Sequence, residues 1–428
     1  MPRRLRHGSG TGARAEQREL NGGKEDVVVV ENSSSFDASS PAEIPSLALR
    51  DCCPCPECLH PETHQRMVAT HTLSPEASQI DSLVLSPEGA LTVVWHDGHA
   101  SSYPPHLLSA LADPHSRIAS SDPLALDWPP SPPTPQSATP SRFPVPHLGE
   151  GEGRLAESVA QHRLDVDVSN ARWKEDETQR QILDVLAEHG LVFAVGVGGI
   201  EDGDPEPSRE FLESLGVLRS THYGTFWDFS PGLEHGDTAY TTLGLPPHTD
   251  GTYFADPPGV QALHCLAHDG EGGNSIMVDG FAALAALQAQ DPDAYHILAS
   301  TPVRWSYKDV SACYTAVAPA VPPALGAAPL RINNDDRTAF PDGDPETVAA
   351  FYHAWTQLLA LVRDENAPYY ASFKLTPGTI CLFDNWRTLH GRTSFTGHRR
   401  LVGAYYSRQD ILSTHHSLIH SLPTSPSS

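Results

Sequence analysis

The feature that most constrains this chain is a succession of short apolar runs in its C-terminal two thirds, each cut off by turn residues. Strand candidates fall at 259–267, 274–279, 301–306, 329–333, 370–375, 378–383 and 399–407. Runs of this length bounded by Gly, Pro, Asn or Asp read as strands. Many such strands with Gly/Pro turns close into a sandwich or jelly roll rather than a helical bundle. Helix spacing in this part is confined to 175–189, 208–215 and inserts at 280–298 and 345–364. The expected class is mainly β with helical inserts.

Composition shifts divide the chain into five segments. Residues 1–25 are basic, Gly-rich and aperiodic, and read as a disordered N-terminus. Residues 26–111 form a small β unit, with strand candidates Val27-Val28-Val29-Val30 and Leu91-Thr92-Val93-Val94-Trp95, the hairpin signal Asp97-Gly98 and a short helix at 104–111. Residues 112–154 hold the extended linker Trp128-Pro129-Pro130-Ser131-Pro132-Pro133-Thr134-Pro135. The globular domain spans 155–416, with an Ala/Pro-rich surface insert at 316–328, and 417–428 reads as a disordered tail. A formal net charge of −25 repels phosphate backbones and argues against nucleic acid as a partner. No run of about 18 apolar residues is present, so no membrane span is expected. The Arg-rich start lacks the apolar core of a secretory signal, which leaves a mitochondrial or a cytoplasmic location open.

Four constellations carry chemistry. In Pro247-His248-Thr249-Asp250-Gly251, an extended backbone turns His248 and Asp250 to one face. With His390 as third ligand they would make the two-His, one-carboxylate triad of non-haem Fe(II) oxygenases, which leaves positions open for O2 and a co-substrate. Arg399 and Arg400 alternate across a strand, so only one can enter the barrel and offer a guanidinium fork to the far carboxylate of 2-oxoglutarate. Cys53-x-Cys55-x-x-Cys58 supplies thiolates for a tetrahedral zinc site. Cys52 is an extra thiol, and His60, His64, His96 and His99 compete for the fourth place, with His99 best placed just past the hairpin turn. The clustered, odd-numbered cysteines suggest a reducing compartment rather than a disulfide framework. Tyr223, Trp227 and Tyr240, with Asp237 nearby, could hold a quaternary ammonium group, although aromatics at such spacings are more often core.

Longer motifs run through these positions: Asp237-Thr238-Ala239-Tyr240-Thr241, Leu263-His264-Cys265-Leu266, Val278-Asp279-Gly280-Phe281, Arg331-Ile332-Asn333-Asn334, and Phe383-Asp384-Asn385-Trp386-Arg387-Thr388-Leu389-His390-Gly391-Arg392. In these the chain resembles the γ-butyrobetaine dioxygenase family of Fe(II)/2-oxoglutarate oxygenases, over roughly 45–111 and 160–412. The resemblance implies a double-stranded β-helix (jelly-roll) catalytic domain and a small N-terminal zinc-binding domain. It implies Fe(II) on His248, Asp250 and His390, 2-oxoglutarate anchored by Arg399, and structural zinc on Cys53, Cys55, Cys58 and His99. Tyr223, Trp227, Asp237 and Tyr240 match a trimethylammonium site. Members hydroxylate a carbon of a trimethylammonium compound with O2, with ascorbate keeping the iron reduced, and a homodimer is expected. Asp237, Thr252-Tyr253-Phe254 and Ser394-Phe395-Thr396-Gly397 favour the branch that hydroxylates Nε-trimethyllysine at carbon 3, the first step of carnitine synthesis. The alternative is hydroxylation of γ-butyrobetaine, and a non-catalytic methyl-ammonium reader comes third.

Overall fold

A computed structural model describes residues 13–20, 23–30, 42–61, 65–73, 77–112, 154–198, 203–229, 241–309, 312–337 and 344–420. The expected linker therefore lies almost wholly outside the described residues.

The N-terminal region opens with three antiparallel strands, β1 (Ala13–Leu20), β2 (Gly23–Val30) and β3 (Ala42–Pro45), in that spatial order. Residues 13–20 and 23–25 were expected to belong to a disordered tail; they form a hairpin instead. Charge pairing across the sheet makes this local order affordable, since Arg18 forks onto Glu43 with two contacts of 2.7 Å. β2 is covered on both faces: Val28 and Val30 enter the largest apolar cluster, and Val27 and Val29 pack with Leu20 and Ala349. Helix α1 (Ser46–Asp51) follows directly, and a second sheet of β4 (Ile80–Leu85), β5 (Leu91–Trp95) and β6 (Ala100–Tyr103) is closed by α2 (Pro105–Ala112). Leu91, Val93 and Trp95 point inward on β5, and Thr92 and Val94 point out, the alternation of a half-buried strand.

The C-terminal region begins with α3 (Leu155–Ala160), β7 (Asp165–Asp167), α4 (Asp176–His189), β8 (Leu191–Val195), α5 (Glu206–Leu215), β9 (Leu218–Arg219) and β10 (Phe226–Phe229). Next come β11 (Leu245–His248), β12 (Val260–His268), β13 (Ser275–Asp279), α6 (Gly280–Gln290), α7 (Pro292–Ser300), β14 (Pro302–Lys308) and β15 (Cys313–Pro319). The last elements are α8 (Pro345–Val362), β16 (Tyr370–Phe373), β17 (Thr379–Asp384), β18 (Thr388–Arg392), β19 (Arg399–Tyr406) and α9 (Arg408–His420).

Two sheets face each other. The larger runs β9–β19–β12–β17–β8–β7, with β10 also paired to β19; the smaller runs β11–β18–β13–β16. Strand alternation sorts the larger sheet cleanly. Leu191, Phe193, Leu263, Cys381, Phe383, Leu401 and Tyr405 point inward to meet Met277 and Ala371 of the smaller sheet. Their neighbours Val192, Ala194, Ala262, Ile380, Leu382 and Ala404 point outward under α4 and α5. The result is a jelly roll with an apolar interior and a helical cover on one side. On the other side, α6 to α8 cover the smaller sheet, and their core is continuous with that of the N-terminal region.

Four sequence expectations change in detail. The helical insert at 280–298 is two helices, broken where the Asp291 side chain accepts from Ala294 N at 2.9 Å and Pro292 starts a new one. Residues 329–333 form no strand. The segment 316–328 is no surface insert at its start, because 316–319 end β15 and Ala320 and Val321 are buried. Helix α9 continues to His420, past the expected start of the tail.

Candidate active site and metal centres

β11 and β18 pair so that His248 lies directly across from His390. Asp250 follows two residues after His248, where the chain turns. Gly251 takes φ +67° there, and a Cβ on it would strike Pro258 and Phe254, so the turn needs glycine. Asp250 Oδ1 lies 3.2 Å from His248 Nε2, and Oδ2 lies 3.6 Å from His390 Nε2. Ligands in adjacent coordination positions of one ion, each at about 2.1 Å, stand about 3 Å apart, so the three donors suit a single cation. His248 Nδ1 is 2.8 Å from the Pro246 carbonyl. A hydrogen bond from Nδ1–H leaves Nε2 with its lone pair toward the cluster.

The electrostatics agree. Burial works against the charged form of all three groups. Burial pushes His390 down to about 3. His248 goes the other way, to about 9, because the Asp250 carboxylate and the Pro246 carbonyl outweigh its burial. Asp250 is held well below the usual carboxylate range despite its burial, by His390, His248 and the Tyr405 hydroxyl. A divalent cation would supply the positive charge that the carboxylate demands.

Two residues not singled out from the sequence hold this carboxylate in place. Tyr405 donates its hydroxyl to Asp250 Oδ2 at 2.7 Å. Asn385 clamps the Asp250 backbone, accepting from its N–H at 2.9 Å and donating to its carbonyl at 3.0 Å. Tyr405 carried a usable signal: it stands six residues after Arg399, an even spacing that puts both on one strand face. Asn385 carried none, because its partners are backbone atoms 135 residues away.

The triad opens into a cavity of about 130 Å³. Arg399 lines it, buried to 6% exposure, with burial alone lowering its affinity for a proton. Among the described residues it has no hydrogen-bond acceptor or ion-pair partner. Arg400 points the other way and is paired with Asp228. Alternation thus selects Arg399. Tyr223 and Trp227 line the same cavity, with Trp227 5.5 Å from the Tyr405 ring. Asp237 and Tyr240 lie outside the described residues. Asn333, Asp335, Asp336 and Gln65, none of them expected at the site, complete one wall.

The second cluster is Cys53, Cys55, Cys58 and His99, whose ligand atoms all fall within 4.8 Å of one another. His99 Nε2 is 3.3, 3.6 and 3.7 Å from the three sulfurs. A tetrahedral zinc with bonds of about 2.3 Å to sulfur and 2.0 Å to nitrogen sets those edges at about 3.5 Å, so the donor set and spacing fit that ion. Ser101 donates to Cys53 Sγ at 3.0 Å and Arg50 to Cys58 Sγ at 3.3 Å, which favours thiolates. The Cys53 thiol is pushed down to about 4, first by its hydrogen bond with Cys58. Cys52 caps α1 and stays outside the cluster, and His96 pairs with Asp81 instead.

The chain is similar to known proteins over most of its length. The family description "Taurine catabolism dioxygenase TauD, TfdA family" matches residues 153–405, and "Gamma-butyrobetaine hydroxylase-like, N-terminal" matches 33–109. Trimethyllysine dioxygenase of Meyerozyma guilliermondii is 31% identical over 401 residues, covering 89% of this chain and 92% of its own. The human protein named "Trimethyllysine dioxygenase, mitochondrial" is 30% identical over 379 residues, covering 86% and 80%. Gamma-butyrobetaine dioxygenase of Pseudomonas sp. is 30% identical over 375 residues, covering 86% and 88%. The chain belongs to the taurine catabolism dioxygenase TauD, TfdA family and is a 2-oxoglutarate-dependent dioxygenase.

Proposed function

We propose that the protein hydroxylates Nε-trimethyllysine at carbon 3, with His248, Asp250 and His390 holding Fe(II) and Arg399 anchoring 2-oxoglutarate. The observation that carries this reading is the buried guanidinium of Arg399, which lines the same cavity as the triad and has no anionic partner among the described residues. A buried cation without an anion is costly, and a dicarboxylate spanning from the triad to Arg399 would neutralise it through a charge-assisted pair. Iron, when bound, supplies the activation of O2 that C–H hydroxylation requires.

The chain's own residues do the rest. Tyr405 and Asn385 keep the Asp250 carboxylate turned toward the two imidazoles. The faces of Tyr223 and Trp227 attract a trimethylammonium group. Fixing that end of an extended substrate sets which carbon meets the reacting centre. Zinc on Cys53, Cys55, Cys58 and His99 serves structure, and ascorbate serves as reductant.

Identity alone does not separate the two substrates, since both kinds of relative stand near 30%. Asp335 and Asp336 in the wall favour trimethyllysine, which carries an α-ammonium that γ-butyrobetaine lacks. Five vertebrate relatives are named mitochondrial, which supports that compartment over the cytoplasm. Among the described residues, no helix is long and apolar enough to cross a membrane.

The test is a substrate panel on the purified protein with Fe(II), 2-oxoglutarate and O2, read by mass spectrometry. Trimethyllysine should gain one oxygen atom in step with succinate formation. Preferential oxidation of γ-butyrobetaine would move the assignment to that reaction, and tight binding of either compound without turnover would sink the enzymatic reading.

A further inference from the structure

The Cys53, Cys55, Cys58 and His99 cluster belongs to the N-terminal region, yet the residues that flank it touch the catalytic cavity. On one side, Asp51 ends α1 and is fully buried; it accepts from Arg337 Nη2 at 2.7 Å, from Tyr352 at 2.8 Å and from Thr70. On the other, Leu59 and Arg66 close the knuckle by a bridge. Arg66 then donates to the carbonyls of Asn334 and Arg337 at 2.7 and 2.9 Å. Gln65, its neighbour, lines the cavity itself.

The segment so gripped is 333–337, which supplies Asn333, Asn334, Asp335 and Asp336 to the cavity wall. The Asn334 side-chain oxygen accepts from Thr70, Arg337 and Trp355, each at 3.2 Å. The same segment continues to the iron ligands. Ile332 N donates to Thr249 Oγ1 at 3.1 Å, and Thr249 N to the Ile332 carbonyl at 2.9 Å. Thr249 is the residue between His248 and Asp250. Thr252 donates to Asp336 at 2.6 Å.

We propose that the Cys3His unit positions the substrate wall of the active site: metal held by the three thiolates and His99 fixes Arg66 and Asp51, and through them residues 333–337. The unit is held at both ends by the segment it would order. Loss of the metal would release the knuckle between 52 and 65, free Gln65 and Arg66, and loosen the wall that faces the substrate. The anchor for 2-oxoglutarate, on β19 of the larger sheet, would be untouched. The proposal rests on the dioxygenase reading of the cavity, with trimethyllysine as substrate.

The test uses the full-length holoenzyme and two variants, Cys55→Ser, which removes one thiolate, and Arg66→Ala, which cuts the strap while keeping the ligands. Bound zinc is measured by metal analysis, protection of 333–337 by hydrogen–deuterium exchange, and KM separately for trimethyllysine and 2-oxoglutarate. Both variants should lose protection at 333–337 and raise the KM for trimethyllysine roughly tenfold, as for coupled sites, with the KM for 2-oxoglutarate unchanged. Only Cys55→Ser should lose zinc. A lower unfolding temperature with wild-type protection and wild-type KM would show a merely stabilising unit and overturn the proposal. Should the variants fail to fold, exchange on the wild-type protein before and after zinc withdrawal decides: unchanged protection at 333–337 overturns it. If the wild-type protein does not oxidise trimethyllysine, the substrate assignment fails, and the exchange measurement still judges the coupling by itself.

Discussion

Around the triad, single side chains act through geometry more than through charge count. Asn385 satisfies both backbone polar groups of Asp250, and nothing nearby replaces it. Asn385→Ala should lower iron affinity about 10–100-fold, as loss of a ligand's supporting partner does, with the fold intact by circular dichroism; equal affinity by metal titration would refute the positioning role. The two adjacent arginines give a sharper contrast. Arg399→Leu should raise the KM for 2-oxoglutarate at least tenfold, since a charge-assisted fork contributes more than about 1.5 kcal/mol. Arg400→Leu removes a partly exposed pair with Asp228 and a hydrogen bond to the Gly203 carbonyl, and should change it little. The histidines and Asp250 were legible in the sequence because metal ligands need particular side chains at particular spacings. Asn385 was not, because an amide acquires its role only from the atoms that folding brings to it, and for Tyr405 the spacing from Arg399 gave the strand face but not the partner.

At the scale of the element, strand β19 carries the densest set of tasks. Its inward face runs Arg399, Leu401, Gly403, Tyr405: anchor, apolar wall, gap and carboxylate support. The gap is occupied by the ring edge of Trp227, which a Cβ on residue 403 would overlap. Gly403→Val should displace that ring, cost about 1–3 kcal/mol by overpacking, and raise the KM for the trimethylammonium substrate. Unchanged tryptophan fluorescence and KM would count against Trp227 as a substrate contact.

Strand β12 is tied to α5 by the 2.7 Å contact of His264 Nδ1 with Ser208 Oγ. Burial lowers His264 to about 4, below its usual 6.5. The unfolded chain therefore binds the extra proton first. Its contribution to stability is complete above about pH 6.5 and is lost as pH falls toward 4. Denaturant midpoints from pH 7.5 down to 4.5 should drop, and His264→Gln should flatten that drop.

For the whole molecule, the decisive contacts join the two regions. Arg337 and Asp51 pair at 2.7 Å with both side chains wholly buried. Arg337→Met would strip the buried Asp51 of its nearest cation, leaving it to Arg66 at 3.6 Å, and should cost about 3 kcal/mol, read as a lower unfolding midpoint. Asp51 is held far below the usual carboxylate range, against its burial, by Arg66 and Arg337. Its share of stability is thus present above about pH 4 and vanishes only under strong acid. The N-terminal region shares its core with the C-terminal one: Val28, Val30, Val93 and Trp95 lie in one cluster with α6 to α8. A small unit of that kind depends on its neighbour for stability.

By itself the sequence determined what depends on residue type and short spacing. Apolar runs marked many of the strands, His248, Asp250 and His390 marked a candidate metal triad that the fold brings together, and Cys53, Cys55, Cys58 and His99 marked a second candidate set. Those signals survive in one dimension because strand period and ligand chemistry are local. Tertiary structure decided which of two adjacent arginines enters the barrel, since the face a strand buries depends on the sheet opposite. It decided that residues 13–20 fold, since their partners Glu43 and Val27 to Val30 come from elsewhere in the chain. It also decided that Gln65, Arg66 and 333–337 meet at the cavity. Those contacts span some 270 positions, and no pattern along the chain encodes them.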